Sequence, residues 1–374
     1  CPPGSSMAFA SGSQTPLRLP GNTMLANFDC IIPRAAETAP ARPSLYGHGL
    51  FGSASEVTAG NVEAMAQEHD FVFCGTDWVG MSEQDLPNAF SVLAELSRFN
   101  TIPDRMQQAY VNFMYLGRLM IHPDGFASSS AFQPAGKPAI DTTRLFYDGN
   151  SQGGIEGGAL TALAPDFDHA VLGVPGMNYS LLIRRSSDFD PFAAVLYRAY
   201  PNELERPLII SMLQILWDRG DSDGYAWHMT SDPYPNTPAH KVLLEMAFGD
   251  HQVTNWATEV EARTIGARLR TPSLDPGRSP EVTPYFGIPP ITSYPFDGSA
   301  LVVWDIGPTR DGGAKGTDPP PLGEVADRGG QDPHEAPRSE PLNRLQKSDF
   351  LQVGGQVVDT CGPHPCYAWG WTGP

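Results

Sequence analysis

Ser151 carries the strongest signal for covalent chemistry in this sequence. It lies in GNSQG, residues 149–153, which has the pattern G-x-S-x-G. The apolar run TRLFYDG leads into this segment, and the helix-forming stretch IEGGALTALA follows it. The pattern therefore predicts a strand, a sharp turn and a helix, an arrangement that lifts a serine hydroxyl clear of the backbone toward a carbonyl group. The alternative is a turn rich in glycine and serine that only connects a strand to a helix.

A second glycine-rich segment, YGHGLFG at residues 46–52, overlaps the end of an early apolar run. Cleavage of an acyl bond through a tetrahedral intermediate needs two N–H groups that point at its oxygen, and loss of one such donor costs roughly 3–4 kcal/mol of barrier. We expect the backbone amides of Leu50 and Gln152 to be these donors. The alternative is an ordinary glycine turn after a strand.

HGLFG after an early strand resembles the oxyanion segment of bacterial lipases and esterases of the α/β-hydrolase superfamily. In that family the residue after His-Gly supplies one N–H, and this residue is Leu50 here, while a histidine in the position of His48 is usually structural. The resemblance covers roughly residues 43–352. It implies an α/β-hydrolase fold, with a mostly parallel central sheet, helices on both faces and an inserted cap. It also implies no cofactor and an acyl-enzyme mechanism with Ser151 as the nucleophile.

A catalytic serine needs a histidine to remove its proton, and the histidine needs a carboxylate to orient it. The resemblance implies the order serine, acid, histidine. Asp250 follows the predicted strand VLLEMAF almost directly, and GDHQVTN resembles the family's pattern of an Asp between a strand and a helix. We therefore predict Asp250 as the acid; the alternative is that it only caps the helix beginning near Val253. Asp77 precedes the serine, so we expect it to be structural.

Nine histidines compete for the role of base. His334 lies after the last predicted strand, SALVVWDIG, and before the helical pattern SEPLNRLQKSDFLQ, where the family's histidine loop falls. We predict His334 as the base, although it lies 84 residues after Asp250, which is longer than typical, and the loop at 308–333 accounts for only part of that length. His364 is the alternative, one element later. The others lie in the oxyanion segment, before or beside the acid, or in the predicted cap: His48, His69, His122, His169, His228, His240 and His251.

Apolar runs of strand length alternate with helical patterns along the chain, which is typical of a parallel sheet with crossover helices. We predict strands within residues 43–49, 70–78, 143–149, 169–176, 241–250 and 299–307, and helices within residues 56–69, 103–121, 190–203, 205–219 and 253–269. The chain is expected to form a single catalytic domain over residues 1–374. A cap is expected at about 177–240, inserted between two strands, and a disulfide-closed tail at about 353–374.

The predicted cap is rich in aromatic residues. Tyr225 and Trp227 of the cap, with Phe51 and Trp78 outside it, are candidates for substrate binding. An aromatic-lined pocket favours carboxylic esters, including lipids or polyesters, whereas the alternative for the cap aromatics is an ordinary packed core.

The chain has 42 acidic and 24 basic residues, a formal net charge of −18. Such a charge repels phosphate backbones and anionic lipid headgroups, so nucleic acid is not an expected partner. The expected partner is a small-molecule, lipid or polymer ester. No apolar run is long enough to span a bilayer, and no charged-then-apolar leader opens the sequence. We therefore expect a secreted or extracytoplasmic protein whose signal peptide has been removed.

Five scattered cysteines favour an oxidising compartment over a metal site. Cys361 and Cys366 bracket a short Gly/Pro loop, so we expect a disulfide there. Cys1 and Cys30 could form another near the N-terminus, whereas Cys74 in the apolar run FVFCG would be a free, buried thiol. A cysteine in the first position also allows a lipid anchor through Cys1.

Other functions share these features. A serine peptidase or an acyltransferase uses the same fold and the same three residue types, and a non-catalytic binding module keeps the fold alone. The intact GNSQG argues against a binding module, because such a module has no need of the serine. Asp305, Asp311 and Asp318 could bind calcium, but their spacing is irregular, and we predict no metal.

Overall fold

The computed structural model describes residues 2–374, and a mostly parallel β-sheet runs through this part of the chain. Its nine strands are β1 (Phe28–Ile31), β2 (Arg42–Gly47), β3 (Phe71–Thr76), β4 (Phe146–Asn150), β5 (His169–Gly173), β6 (Lys241–Ala247), β7 (Arg268–Leu269), β8 (Ala300–Asp305) and β9 (Cys366–Tyr367). The order across the sheet is β1-β3-β2-β4-β5-β6-β8, and the short strands β7 and β9 both pair with β8. Within the described residues β1 runs antiparallel to β3, and every other strand pair is parallel.

Eleven α-helices lie within residues 2–374: α1 (Gly60–His69), α2 (Leu86–Ala94), α3 (Thr101–Ile121), α4 (Gln152–Leu163), α5 (Tyr179–Leu182), α6 (Asp190–Ala199), α7 (Arg206–Trp217), α8 (Ala226–Thr230), α9 (Asn255–Thr264), α10 (Ala336–Ser339) and α11 (Pro341–Phe350). None of these helices combines the length and the apolar character that crossing a bilayer requires.

The central strands are buried because helices cover both faces of the sheet. Successive side chains of a strand point to opposite faces. Leu172 of β5 packs in a cluster with α3 and α4, whereas the preceding Val171 packs on the other face with α1 and α11. The hydrophobic core therefore has two layers, one on each side of the sheet.

The predicted fold class is confirmed. Each of the six segments predicted as strands overlaps a strand, and the segments predicted as helices overlap α1, α3, α6, α7 and α9. Strand order, parallel pairing and the connection from β4 into α4 are those of an α/β-hydrolase fold. The sequence patterns missed β1, β7 and β9, because two to four residues are too few to display an alternation.

The connection between β5 and β6 contains helices α5 to α8, and we call it the β5–β6 insertion. It packs against α2 and the beginnings of α3 and α4 through a hydrophobic cluster of its own. Trp217 of α7 stacks on Tyr179 of α5 with ring centroids 4.2 Å apart, and it contacts Phe99 just before α3 at 4.9 Å. The aromatic residues of the insertion thus hold it against the rest of the fold.

Two disulfides lie within residues 2–374. Cys361 pairs with Cys366, as predicted. Cys30 of β1 pairs with Cys74, its cross-strand partner in β3. The expectations of a Cys1–Cys30 pair and of a free Cys74 thiol are therefore wrong, because β1 lies directly beside β3; Cys1 itself lies outside the described residues.

The Cys30–Cys74 disulfide should contribute more to stability than the Cys361–Cys366 disulfide. The first joins residues 44 apart and the second residues 5 apart. From the chain entropy that each cross-link removes, we expect C30S/C74S to lower the free energy of unfolding by roughly 4 kcal/mol and C361S/C366S by about 2 kcal/mol. Urea unfolding followed by circular dichroism measures both losses. Equal losses in the two double variants would contradict this expectation.

Candidate active site

Ser151 lies on the sharp turn between β4 and α4. Its backbone has φ 60° and ψ −121°, a region that residues with a side chain rarely occupy. Its N–H donates to the carbonyl oxygen of Gly173 at 2.9 Å. Its own carbonyl oxygen accepts the N–H of Gly154 at 2.8 Å and the N–H of Ile155 at 2.9 Å. These hydrogen bonds on both sides hold the strained conformation at the carboxyl end of β4.

Two glycines beside Ser151 let α4 approach the sheet closely. A Cβ at Gly153 would lie 2.0 Å from the carbonyl oxygen of Gly47 at the end of β2. A Cβ at Gly149 would lie 2.5 Å from the carbonyl oxygen of Gly153. Cβ atoms do not approach oxygen this closely, so a larger residue at either position would push α4 away and open the turn. Packing therefore requires the glycine spacing around Ser151.

Asp250 and His334 are in contact, although 84 residues separate them in sequence. The Nδ1 atom of His334 lies 2.8 Å from Oδ2 and 3.0 Å from Oδ1 of Asp250, and both side chains are buried. Oδ1 of Asp250 also accepts the N–H of Gln252 at 2.8 Å and the N–H of Val253 at 3.0 Å. The Asp250 carboxylate therefore holds the turn before α9 and orients the imidazole. Asp250 is not the N-cap residue of α9, since that position is occupied by Thr254.

The contact with Asp250 sets the state of the His334 imidazole. When Nδ1–H is donated to the carboxylate, Nε2 is left free to accept a proton, and Nε2 has no hydrogen-bond partner within residues 2–374. His334 and Ser151 line the same open cleft. Burial lowers the pKa of His334, but the Asp250 carboxylate outweighs burial, so that the pKa lies above its ordinary value. An imidazole in this setting can take up the proton of a serine hydroxyl.

Asp332 joins the loop that carries His334 to the loop that carries Asp250. Its Oδ1 accepts the N–H of His334 at 3.1 Å and the N–H of His251 at 3.3 Å. Its Oδ2 accepts an N–H of the Gln252 side chain at 2.8 Å. The sequence patterns gave Asp332 no role, although an Asp that accepts the N–H two residues later is a common turn former, and the DPH spacing was the available signal.

The segment after β2 is held by its own side chains. Nε2 of His48 accepts the N–H of Trp78 at 2.8 Å, and Nδ1 lies 2.8 Å from the carbonyl oxygen of Gly49. Burial lowers the pKa of His48, which favours the neutral ring that these two bonds require. The N–H of Gly49 donates to Oε2 of Glu56 at 2.8 Å. Together these contacts fix the backbone immediately before Leu50.

Leu50 and Gln152 line one pocket together with Ser151. Neither backbone N–H has an acceptor in the part of the chain that the structure describes. Gln152 is the first residue of α4, where an N–H has no acceptor within the helix and the helix dipole adds a positive field. Its side chain is fixed, since it donates to Glu156 at 2.7 Å and accepts from the hydroxyl of Tyr179. Two free donors beside a nucleophile can stabilise a negatively charged oxygen.

Two spaces of different character meet at Ser151. The first, which we call the apolar pocket, extends under the β5–β6 insertion, and its lining includes Phe99, Ile155, Leu182, Ile183, Leu196 and Trp217. The second, which we call the polar cleft, opens to solvent, and its lining includes Glu56, Asn61, His334, Glu335 and Arg338. Phe51, one of the predicted substrate-binding residues, lines both spaces.

Three of the predicted substrate-binding residues line neither space. Trp78 is fully buried between the sheet and α3, where it stacks on Phe113 with ring centroids 3.8 Å apart. Tyr225 packs on the same core, and its hydroxyl donates to a backbone carbonyl. Trp227 is 62% exposed. The choice rested on residue type and on position along the chain, and neither shows the direction in which a side chain points.

The remaining candidates lie outside the pocket and the cleft. His364 is exposed in the disulfide loop before β9. Asp77 accepts the N–H of Ala54 at 2.9 Å. The carboxylate of Asp305 forms a bidentate pair with Arg278, at 2.8 and 3.0 Å. Among residues 2–374 no group of three or more His, Cys, Asp or Glu side chains is arranged to hold a metal ion.

The strand order and the turn at Ser151 place this chain in the class of α/β-hydrolase folds. No protein-family model matches the chain, and no curated protein matches it. Solved structures similar to it include Pyrococcus horikoshii acylaminoacyl peptidase, at 14% identity and a TM-score of 0.40, covering 64% of this chain and 32% of that one. This chain thus spans about a third of the length of that peptidase.

Two further solved structures are similar over much of their own length. The S-formylglutathione hydrolase of Agrobacterium tumefaciens has 15% identity and a TM-score of 0.35, covering 63% of this chain and 76% of that one. Acetyl xylan esterase 1 of Thermoanaerobacterium sp. has 17% identity and a TM-score of 0.42, covering 64% of this chain and 69% of that one.

The contacts of Asp332 predict a positioning role with a pH signature. We expect Asp332→Ala to lower kcat roughly 100-fold with little change in KM, because a displaced imidazole loses alignment with the serine. Asp332→Asn keeps an acceptor for both backbone N–H groups, so it should recover most of kcat. The Asp332 carboxylate raises the pKa of His334, so D332N should lower that pKa and move the acidic limb of the pH–kcat profile to lower pH.

The measurement is kcat for hydrolysis of a nitrophenyl ester across pH 5–9. Asp311→Asn, an exposed change in the same long loop, is the matched control and should leave the profile in place. An unchanged acidic limb in D332N, or a D332A variant as active as the parent protein, would refute the role given to Asp332.

Proposed function

We propose that this protein is a serine hydrolase that cleaves carboxylic esters through an acyl-enzyme intermediate. The observation that carries the proposal is the buried Asp250–His334 pair. Nε2 of His334 has no hydrogen-bond partner within residues 2–374, and His334 lines the cleft that Ser151 also lines. A nucleophile on a strained turn, an imidazole oriented by a carboxylate and two free N–H donors are the groups that acyl transfer needs.

In the proposed reaction Ser151 Oγ attacks the ester carbonyl while His334 Nε2 removes its proton. The Asp250 carboxylate stabilises the imidazolium that results, which agrees with the raised pKa of His334. The N–H groups of Leu50 and Gln152 bind the oxygen of the tetrahedral intermediate. Collapse of the intermediate expels the alcohol, which takes its proton from His334. Water, activated by the same histidine, then releases the acid and restores the serine.

The two spaces at Ser151 support an ester with two unlike halves. The apolar pocket suits an apolar acyl chain, because burial of aliphatic or aromatic groups there is favourable. The polar cleft suits the alcohol portion, since charged side chains line it and it opens to solvent. In this proposal the β5–β6 insertion acts as the cap over the acyl site, and lipids or polyesters with apolar acyl units are candidate substrates.

An extracytoplasmic location is part of the proposal. Two disulfides within the described residues support it, because such bonds persist in oxidising compartments.

Active-site labelling tests whether the protein is a serine hydrolase at all. We expect a fluorophosphonate to modify the chain once, on the tryptic peptide that contains Ser151, and Ser151→Ala to abolish the modification. Peptide mass spectrometry locates the label. A folded protein that takes no label would argue for a binding module, and a label on another residue would overturn the assignment of Ser151 as the nucleophile. Labelling with cleavage of hexanoyl nitroanilide but of no nitrophenyl ester would argue for a peptidase.

Single histidine replacements test the base. Removal of His334 takes away the general base, so we expect His334→Ala to lower kcat by roughly 10⁴-fold and His364→Ala to leave it within a factor of two. Asp250→Asn should lower kcat by a similar factor as H334A, because the imidazole would lose its correct tautomer. The assignment fails if H364A abolishes turnover and H334A does not.

A further inference from the structure

Asp188 lies where the apolar pocket meets the polar cleft, and it lines both together with Ser151. Its position is built by the surrounding backbone. The N–H of Asp188 donates to the hydroxyl of Ser186 at 3.2 Å, and the N–H of Ser187 donates to the carbonyl oxygen of His251 at 2.8 Å. The 3-10 turn that carries the carboxylate is therefore attached to the loop of the predicted acid.

The carboxylate of Asp188 has neither a hydrogen bond nor an ion pair within residues 2–374, unlike the other carboxylates around Ser151. Glu56 binds the Tyr46 hydroxyl and the Gly49 N–H, and Glu335 lies 3.3 Å from a nitrogen of Arg338. Burial raises the pKa of Asp188, and the nearby His334 lowers it by less. A half-buried carboxylate without a partner is costly, and its cost is recovered when a donor from outside occupies the position.

The electrostatic surroundings favour a positively charged donor. The polar cleft is lined by three carboxylates, those of Glu56, Asp188 and Glu335, against the guanidinium of Arg338 and the imidazole of His334. The whole chain carries a formal charge of −18. A cleft lined by an excess of one sign attracts ligands of the other sign and repels its own. An anionic alcohol portion is therefore disfavoured, and a cationic one is attracted.

We propose that Asp188 is a specificity-determining residue that binds an ammonium group on the alcohol portion of the ester. The substrate class is then esters of apolar acids with amino alcohols. The acyl chain occupies the apolar pocket, the carbonyl lies at Ser151, and the ammonium N–H donates to the Asp188 carboxylate. This proposal rests on the proposed ester hydrolysis and adds the identity of the alcohol.

A pair of isosteric esters tests the proposal. 2-(Dimethylamino)ethyl hexanoate is cationic at neutral pH, whereas 3-methylbutyl hexanoate has the same shape without the charge. For the parent protein we expect kcat/KM to be roughly 10- to 100-fold higher for the cationic ester, the range of one charge-assisted hydrogen bond. Asp188→Asn should remove most of this ratio, lowering kcat/KM for the cationic ester at least fivefold more than for the neutral ester. The readout is the ratio of kcat/KM for the cationic ester to kcat/KM for the neutral ester, compared between D188N and the parent protein. This comparison cancels the intrinsic reactivity of each ester.

Two controls make the outcome specific. Glu203→Gln removes a carboxylate of the same insertion that is 85% exposed and lines neither space, and it should leave the ratio unchanged. Choline hexanoate carries the charge without an N–H, so a smaller preference for it than for the dimethylamino ester supports a hydrogen bond, and an equal preference overturns that part of the proposal.

The possible failures are distinguishable. If D188N and the parent protein have the same ratio, or if the preference follows an ammonium on the acyl chain, as in 3-methylbutyl 6-aminohexanoate, the role of Asp188 is overturned while ester hydrolysis stands. If neither ester is cleaved and a fluorophosphonate does not label Ser151, the proposed function itself has failed. Cleavage of the neutral ester by D188N shows that the variant is folded.

Discussion

The contact between the backbone of Gly153 in α4 and the carbonyl oxygen of Gly47 at the end of β2 constrains the rest of the site. Because no side chain fits between them, α4 must begin directly against the sheet, and the chain enters it from β4 through the strained conformation of Ser151. The same contact brings the residues after Gly47 to the serine, since a Cβ at Gly49 would lie 3.9 Å from the Cβ of Ser151. One packing requirement therefore brings Ser151 to the segment after β2 that carries Leu50.

Loops and electrostatic interactions position the other part of the site, Asp250 and His334. A buried carboxylate needs partners, and Asp250 finds them in His334 and in two backbone N–H groups. Burial and the Asp250 carboxylate act in opposite directions on the pKa of His334, so the balance depends on a fixed distance between the imidazole and the carboxylate. The hydrogen bonds of Asp332 to both loops keep that distance. A long loop with little regular structure can thus hold an imidazole in one position.

Sequence patterns predicted the parts of the molecule that follow a periodicity or a spacing. The central strands are buried on both faces and carry continuous apolar runs, and Ser151 is marked by the glycines that packing requires around it. The Cys30–Cys74 pairing was not predictable, because β1 is a four-residue edge strand without an apolar pattern. The residues that line the apolar pocket were not predictable either. Periodicity reveals that α7 is apolar but not which of its faces turns inward. The direction of a single side chain is not predictable either, and Trp227 of α8 was chosen although it is exposed to solvent.

In the proposed enzyme, substrate selection and catalysis share the same supports. Asp188 lies on a turn of the β5–β6 insertion, and the adjoining Ser187 N–H donates to the carbonyl oxygen of His251. His251 follows Asp250 directly and donates its own N–H to Asp332. The insertion that shapes the apolar pocket is therefore hydrogen-bonded to the turn that orients the imidazole. A substrate that displaces the β5–β6 insertion therefore also disturbs the Asp250 carboxylate, whereas a substrate that fits leaves this carboxylate in place. Discrimination in such a site falls on kcat as well as on KM, because the contacts that bind the substrate also set the geometry of attack.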